Sequence, residues 1–206
     1  PVRKEFLFPT KERARKALGV TEPLVVSAFG SQGAKVMNET IADMMVLEQA
    51  DGFPFHHIHA TGSFGKEWMP KRVKDNGVDY ENCPAIDIRE YIYDMPTVLT
   101  AADVVIGRAG SATCNEIAAS GTPCILVPSP NVTNNHQEKN ARVLESGGGA
   151  VVLLEKDCTA ETLYGLIRQL LADETRRAQM SRKLHAQLRP DSTDRICAIV
   201  EEITGR

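Results

Sequence analysis

Three polar loops carry the residues whose types and spacing could do chemistry. Gly30-Ser31-Gln32-Gly33 lies between a short apolar run and a helical pattern. Glycines there let main-chain N–H groups approach a phosphate, the serine hydroxyl can donate, and the positive end of the helix favours an anion. The loop lacks the G-x-G-x-x-G of dinucleotide folds and the Gly-Lys-Ser/Thr of a P-loop, so a tight turn without a ligand fits it equally well. Arg108-Ala-Gly-Ser-Ala-Thr-Cys-Asn-Glu116 has the same placement one unit later. Ser111 suits an N-cap, and the first-turn amides at Ser111, Ala112 and Thr113 could hold a second anion or a sugar hydroxyl. Glu116, one turn on, could accept two hydrogen bonds from a vicinal diol. Equally, Thr113-Cys-Asn-Glu116 fits the S/T-x-x-E capping box, which would keep Glu116 for local use. The third loop, Asn131-Val-Thr-Asn-Asn-His-Gln137, offers amide donors and acceptors of the kind that recognise neutral hydroxyls. Its asparagines also suit turns and caps. Together the three loops describe a pocket for a phosphorylated, sugar-like ligand.

Regular elements must bring these loops together. Leu24-Val-Val-Ser-Ala-Phe29, Phe55-His-His-Ile-His-Ala60, Val104-Val-Ile106, Cys124-Ile-Leu-Val127 and Ala150 to Leu154 read as short strands. Near-continuous apolar runs of this kind belong to strands buried on both faces. Between them, helical spacing predicts helices from Val36 to about Asp51, around Pro70 to Asp75, from Met95 to Ala102, from Ala112 to Ser120 and from His136 to Glu145. The stretch through Ile86 and Ile88 is left undefined. After the last strand the chain reads as three helices broken near Asp173 and Pro190. The alternation predicts an α/β fold, one doubly wound parallel sheet of Rossmann-like type. Right-handed crossovers bring every strand's carboxyl end to one sheet edge, where such folds bind ligands. Residues 1–10 read as a linker and residues 11–206 as the domain.

Composition narrows the class. With 206 residues, 42% hydrophobic and 25% charged, the chain can bury a core without disulfide or metal staples. A formal charge of −3 gives no basic field for nucleic acid, and no apolar run approaches the roughly 20 residues of a membrane span. The opening Pro-Val-Arg, without an initiator Met or a signal peptide, reads as a piece of a longer protein. Five scattered cysteines (83, 114, 124, 158 and 197) show no metal-ligand spacing and read as buried, reduced, unreactive thiols of a cytosolic protein. His57 and His59 share a strand face at period two. That spacing could hold a metal, but a partly buried strand with polar edges accounts for it as well.

The motifs Phe29-Gly-Ser-Gln-Gly-Ala34, Tyr91-Ile-Tyr-Asp-Met95, Arg108-Ala-Gly-Ser-Ala-Thr113, Asn115-Glu-Ile-Ala-Ala119 and Asn134-Asn-His-Gln-Glu-Lys-Asn-Ala141 follow in order. In that order and spacing the chain resembles, over essentially its whole length, the C-terminal half of the MurG family of peptidoglycan N-acetylglucosaminyltransferases. The resemblance implies half of a two-domain, GT-B-type enzyme that transfers N-acetylglucosamine with inversion from UDP-N-acetylglucosamine to lipid I, giving lipid II. It implies no cofactor and no Asp-x-Asp metal chelate. It also implies a cytoplasmic enzyme, peripheral on the inner membrane, whose acceptor site and catalytic base lie in an N-terminal domain that this sequence lacks. The isolated chain would therefore be inactive. Carried over by residue, Arg3 and Ser31, within the Gly30, Gln32 and Gly33 loop, would meet the diphosphate. Ile92 would offer main-chain groups to uracil, and Ser111, Ala112 and Thr113 would bind phosphate and sugar. Glu116 would hold the ribose hydroxyls rather than cap its helix. Gln137 would bind the sugar, beside His136, which stands where many members have glutamine. Two alternatives stand beside it: a non-enzymatic UDP-sugar-binding subunit, which would look the same in sequence, and half of a UDP-N-acetylglucosamine 2-epimerase, which shares the two-domain architecture but whose pattern of catalytic carboxylates and histidines is not seen here.

Overall fold

Six parallel strands run through the centre of the computed structural model, which describes residues 2–205. They are β1 (Leu24–Ala28), β2 (His56–Ala60), β3 (Ile86–Arg89), β4 (Val104–Gly107), β5 (Cys124–Leu126) and β6 (Ala150–Val152), in the order β3-β2-β1-β4-β5-β6. The order reverses between β1 and β4, so the loops leaving these two strands diverge and open a crevice. The doubly wound parallel sheet is as the alternation predicts. The outer ends of the predicted segments, Pro1 and Arg206, lie outside the described residues.

Helices cover both faces because the strands are apolar on both. One face packs Leu24, Val26, Ile58 and Val105 against α1 (Lys11–Leu18), α4 (Met95–Ala101), α5 (Ser111–Ser120) and α6 (His136–Ser146). The other packs Val25, Val104, Ile106 and Ile125 against α2 (Lys35–Ala50), α3 (Trp68–Asp75) and α7 (Ala160–Ala172). Each fully buried Ile, Leu or Met contributes about 1.5–3 kcal/mol, so stripes such as Met37, Ile41, Met44 and Met45 on α2 seat that helix. Two more helices, α8 (Glu174–Gln187) and α9 (Ser192–Thr204), end the chain. Ahead of α1, Phe6 is buried in the first of the two cores.

Several expectations need correction. Residues 86–89 form the edge strand β3; their alternation of Ile with Asp and Arg reflects a strand covered less completely than its inner neighbours. Helix α1 has only Ala14 buried, too little apolar periodicity to read. Strand β6 ends at Val152, short of Leu154. Only Cys124 and Cys158 are buried; Cys83 and Cys114 are half-buried and Cys197 is exposed. His57 and His59 are fully buried rather than at a polar edge, and Ser27 bridges them.

Candidate functional site

Two glycine loops form the walls of the crevice. After β1 the chain turns at Gly30 and Gly33 with φ of 91° and 78°, in the left-handed region that favours glycine. Gly33 has a second constraint, since a Cβ there would overlap the carbonyl oxygen of Thr61. The loop after β2 lies directly against it: Ser63 and Phe64 N–H groups donate to the Ser31 and Gln32 carbonyls at 3.0 and 3.1 Å. The two loops are thus clasped main chain to main chain, and Asn38 on α2 braces them by donating to the Thr61 carbonyl at 2.8 Å.

The loop after β4 is held from behind. Arg108 donates to the Val127 carbonyl at 3.0 Å and pairs with Glu155, and Asn140 on α6 donates to the Ala109 carbonyl at 3.0 Å. Arg108 therefore fixes the loop and is not free for a ligand. Gly110, not Ser111, is the N-cap of α5, and no side chain caps that helix. Thr113 is the third helical residue, so the Thr113–Glu116 capping box cannot form. Glu116 is 24% exposed and lies 3.8 Å from Arg3, which is 55% exposed and stacks over the Phe6 ring. Burial raises the Glu116 carboxyl above its ordinary range, and the Arg3 charge opposes that shift.

A cavity of about 270 Å³ opens between these loops, above the junction of β1 and β4. It gathers Gly30, Ser31, Ile92, Ala112, Thr113 and Glu116 among the predicted residues. Arg3 reaches it through Glu116. Gln32 and Gly33 line a neighbouring hollow of about 310 Å³ with Asn38, Phe64 and Trp68. Ser111, His136 and Gln137 sit on the same sheet edge but outside the cavity lining. Gln137 Oε1 accepts from the Ser129 N–H at 3.0 Å, and the His136 ring is bonded to the Thr133 carbonyl at 3.0 Å. No local pattern marks the apolar floor, made by Val26, Ala60, Leu99 and Ile117, or the Tyr91 wall. Tyr91 meets Tyr93 edge to face with ring centres 5.1 Å apart, and Tyr93 is 87% exposed. These side chains look like ordinary core or turn residues until the topology places them. An apolar slot with a half-buried carboxylate, open helix amides and a nearby arginine suits a planar ring carrying a diol and phosphates.

Residues 24–196 match the model of the glycosyltransferase family 28 C-terminal domain. The chain belongs to this family. It is 40% identical over 205 residues to the UDP-N-acetylglucosamine–N-acetylmuramyl-(pentapeptide) pyrophosphoryl-undecaprenol N-acetylglucosamine transferase of Acetivibrio thermocellus, covering 98% of this chain and 54% of that one. The protein of the same name from Caldanaerobacter subterraneus is 39% identical, covering 99% and 55%. The chain thus spans about half the length of the relatives it matches. The crystal structure of Acinetobacter baumannii MurG superposes with a TM-score of 0.78 at 24% identity, over 98% of this chain and 55% of that one, a likeness of fold. Among the described residues no helix is long and apolar enough to cross a membrane.

Proposed function

We propose that this chain is the donor-binding half of an inverting transferase that moves N-acetylglucosamine from UDP-N-acetylglucosamine to lipid I, and that the crevice at the β1–β4 junction holds the UDP. The observation that carries this is the convergence of Ser31, Ile92, Thr113 and Glu116 on one cavity, in a chain whose relatives are named for that transfer. In this reading uracil enters the apolar slot against main-chain groups of Ile92, and the ribose diol bonds Glu116. The phosphates meet Arg3, Ser31 and the open amides of α5. The sugar extends toward Gln32 and Gly33 on one side and His136 and Gln137 on the other. Residues 1–10 connect to an acceptor-binding half, which supplies lipid I and the catalytic base at the cytoplasmic face of the membrane.

Titration with UDP tests the placement. The chain spans about half the length of its relatives and by itself would supply one wall of a two-domain cleft, so a Kd between about 10 μM and 1 mM is expected, roughly −4 to −7 kcal/mol. Amide NMR signals of Gly30 to Gly33 and Ser111 to Thr113 should move; shifts confined to the opposite sheet edge would refute the placement. CDP presents the wrong donor and acceptor pattern to Ile92, and unpaired buried groups cost about 1–3 kcal/mol, so it should bind about tenfold more weakly or worse. With a lipid I analogue and donor, the isolated chain should release no UDP above background, because positioning both reactants is worth about 7–11 kcal/mol.

A further inference from the structure

Beneath the clasped loops lies a chain of four buried polar side chains that donor binding does not use. Glu48 on α2, Ser27 on β1, and His57 and His59 on β2 are each at most 1% exposed. Glu48 Oε1 lies 2.8 Å from His57 Nδ1, His57 Nε2 lies 2.8 Å from Ser27 Oγ, and Ser27 Oγ lies 2.7 Å from His59 Nδ1. Glu48 Oε2 and His59 Nε2, the two ends, have no hydrogen-bond partner among the described residues.

Ser27 has one proton and touches two ring nitrogens, so the chain has a direction. With Glu48 ionised, His57 carries a proton on Nδ1. If Ser27 donates to His57 Nε2, it must accept from His59 Nδ1–H, and His59 Nε2 is bare. Both rings are then neutral and the Glu48 charge is uncompensated. One added proton changes every step. It arrives at His59 Nε2, the Nδ1 proton passes to Ser27 Oγ, and the Ser27 proton passes to His57 Nε2. His59 ends neutral with its proton on Nε2, and His57 ends as the imidazolium partner of Glu48. The proton balance closes with a single proton taken up. We propose that Glu48, His57, Ser27 and His59 form a one-proton relay whose protonation reverses the hydrogen bonds through Ser27 and so sets the seating of the clasped loops after β1 and β2.

The placement supports it. Ser27 is three residues before Gly30, and His59 is two before Thr61, whose carbonyl packs on Gly33. Burial, and then the neighbouring His57, push the His59 ring well below its ordinary range, so His59 passes the proton on rather than keeping it. The elements packed over this face bring other charged groups, several of them paired with one another. Asp43 on α2 pairs with Arg72 on α3, and Asp51 accepts the Tyr164 hydroxyl of α7 and sits near Arg168. On the sheet's other face, Asp87 pairs with Arg89, near His56. β4 contributes no ionisable side chain.

Side-chain ¹⁵N spectra of histidine-labelled chain, recorded from pH 8 down to the onset of unfolding, test the relay without any variant. At pH 8 both His57 and His59 should carry their proton on Nδ1. On acidification His57 should gain a second proton while His59 moves its proton to Nε2, with one shared midpoint. Independent midpoints, a His59 Nε2–H already present at pH 8, or no change in either ring would overturn the proposal. In Ser27→Ala His59 should cease to follow His57, whereas Ser27→Thr, which keeps the hydroxyl, should restore the shared midpoint. The effect on ligand binding rests on the UDP reading above. UDP affinity should differ by about threefold or more across the midpoint in the wild type, beyond the pH dependence that Ser27→Ala retains. If the rings switch together but UDP binds at no pH, the donor reading fails and the relay stands. If UDP binds with one pH profile in both proteins, the link to the loops fails and the donor reading stands.

Discussion

Helices that leave the inner strands begin differently from those that leave the two edge strands. After β3 and β6, the edges, α4 and α7 start under side-chain caps from Asp94 and Thr159. After β1, β2, β4 and β5, helices α2, α3, α5 and α6 start with no side-chain cap. A cap contributes about 1 kcal/mol, so its absence at four successive inner positions leaves that stabilisation unused. The uncapped ends of α2 and α5 flank the crevice where the proposed phosphates sit. Capping residues there would compete for the amides that an anion needs. In the proposed placement the edge helices meet no anion, and their ends are closed by their own sequence.

The inner loops can be broken most severely at their clasp. Gly33→Ala combines left-handed strain with overlap on the Thr61 carbonyl and should cost about 2–5 kcal/mol of stability. Gly30→Ala meets nothing within 4 Å and carries only the conformational term, about 1–2 kcal/mol. Urea denaturation of the two variants checks the difference. Equal losses would mean that the loops are not clasped in solution.

Glu116 gives the next largest effect, on binding rather than stability. Glu116→Gln should weaken UDP about tenfold, close to 1.4 kcal/mol, and should narrow the preference for UDP over 2′-deoxy-UDP. Burial raises the Glu116 carboxyl, so in the wild type protonation sets in at a higher pH than for a free glutamate. The ribose contribution should therefore fade on acidification earlier than a free glutamate would allow, a component that the glutamine variant lacks. The same sign applies to folding: a carboxyl raised in the folded state adds no stability at neutral pH, so Glu116→Gln should leave the urea midpoint unchanged or slightly higher. Unchanged sugar discrimination in the variant would remove Glu116 from the ribose.

Much of this could be read in the residues, and the failures share a cause. The buried strands and long amphipathic helices were legible because β1, β4 and β5 are apolar on both faces and α2 repeats its methionines at helical spacing. β3 was not, because an edge strand bearing Asp87 and Arg89 lacks that continuity. In the crevice, Gly30, Ser31, Thr113 and Glu116 announced themselves as loop and helix-start residues, and the fold brings them together. The helix itself starts one residue before the position its pattern suggests: Ser111 has the chemistry of a cap, but Gly110 occupies the capping position. The S/T-x-x-E pattern then applied to the wrong residue, because it locates a cap only if the helix begins at its threonine. The histidine relay depends on pairing between β1, β2 and α2, which no local pattern contains.

At the edge, Asp94→Ala should cost about 1 kcal/mol of stability, because the Asp94 carboxylate accepts from the Thr97 N–H at the start of α4. UDP affinity should stay within twofold, measured by calorimetry on the same preparation. A matching loss of affinity would mean that the capped start of α4, and not only the Leu99 side chain on the cavity floor, governs the crevice, and that the contrast between inner and edge helix starts is not functional.

The smallest effect is the sharpest test of that contrast, because it supplies an inner helix with the cap it lacks. Gly110 sits at the N-cap of α5 with φ −65° and ψ 152°, a conformation open to any residue, and a Cβ there would meet only Thr113 Oγ1, at 3.9 Å. Gly110→Asp can therefore enter without strain and accept from the Thr113 N–H, with its charge at the positive end of the helix. Replacing a glycine cap this way should raise stability by only a few tenths of a kcal/mol. The same carboxylate would occupy the amides proposed for phosphate and repel it, so UDP should bind about threefold more weakly, roughly 0.7 kcal/mol. Gly110→Asn, which caps without the charge, separates the two causes: competition for the amides should persist and repulsion should vanish. A variant that gains stability and keeps full UDP affinity would show that the open end of α5 is not reserved for a ligand.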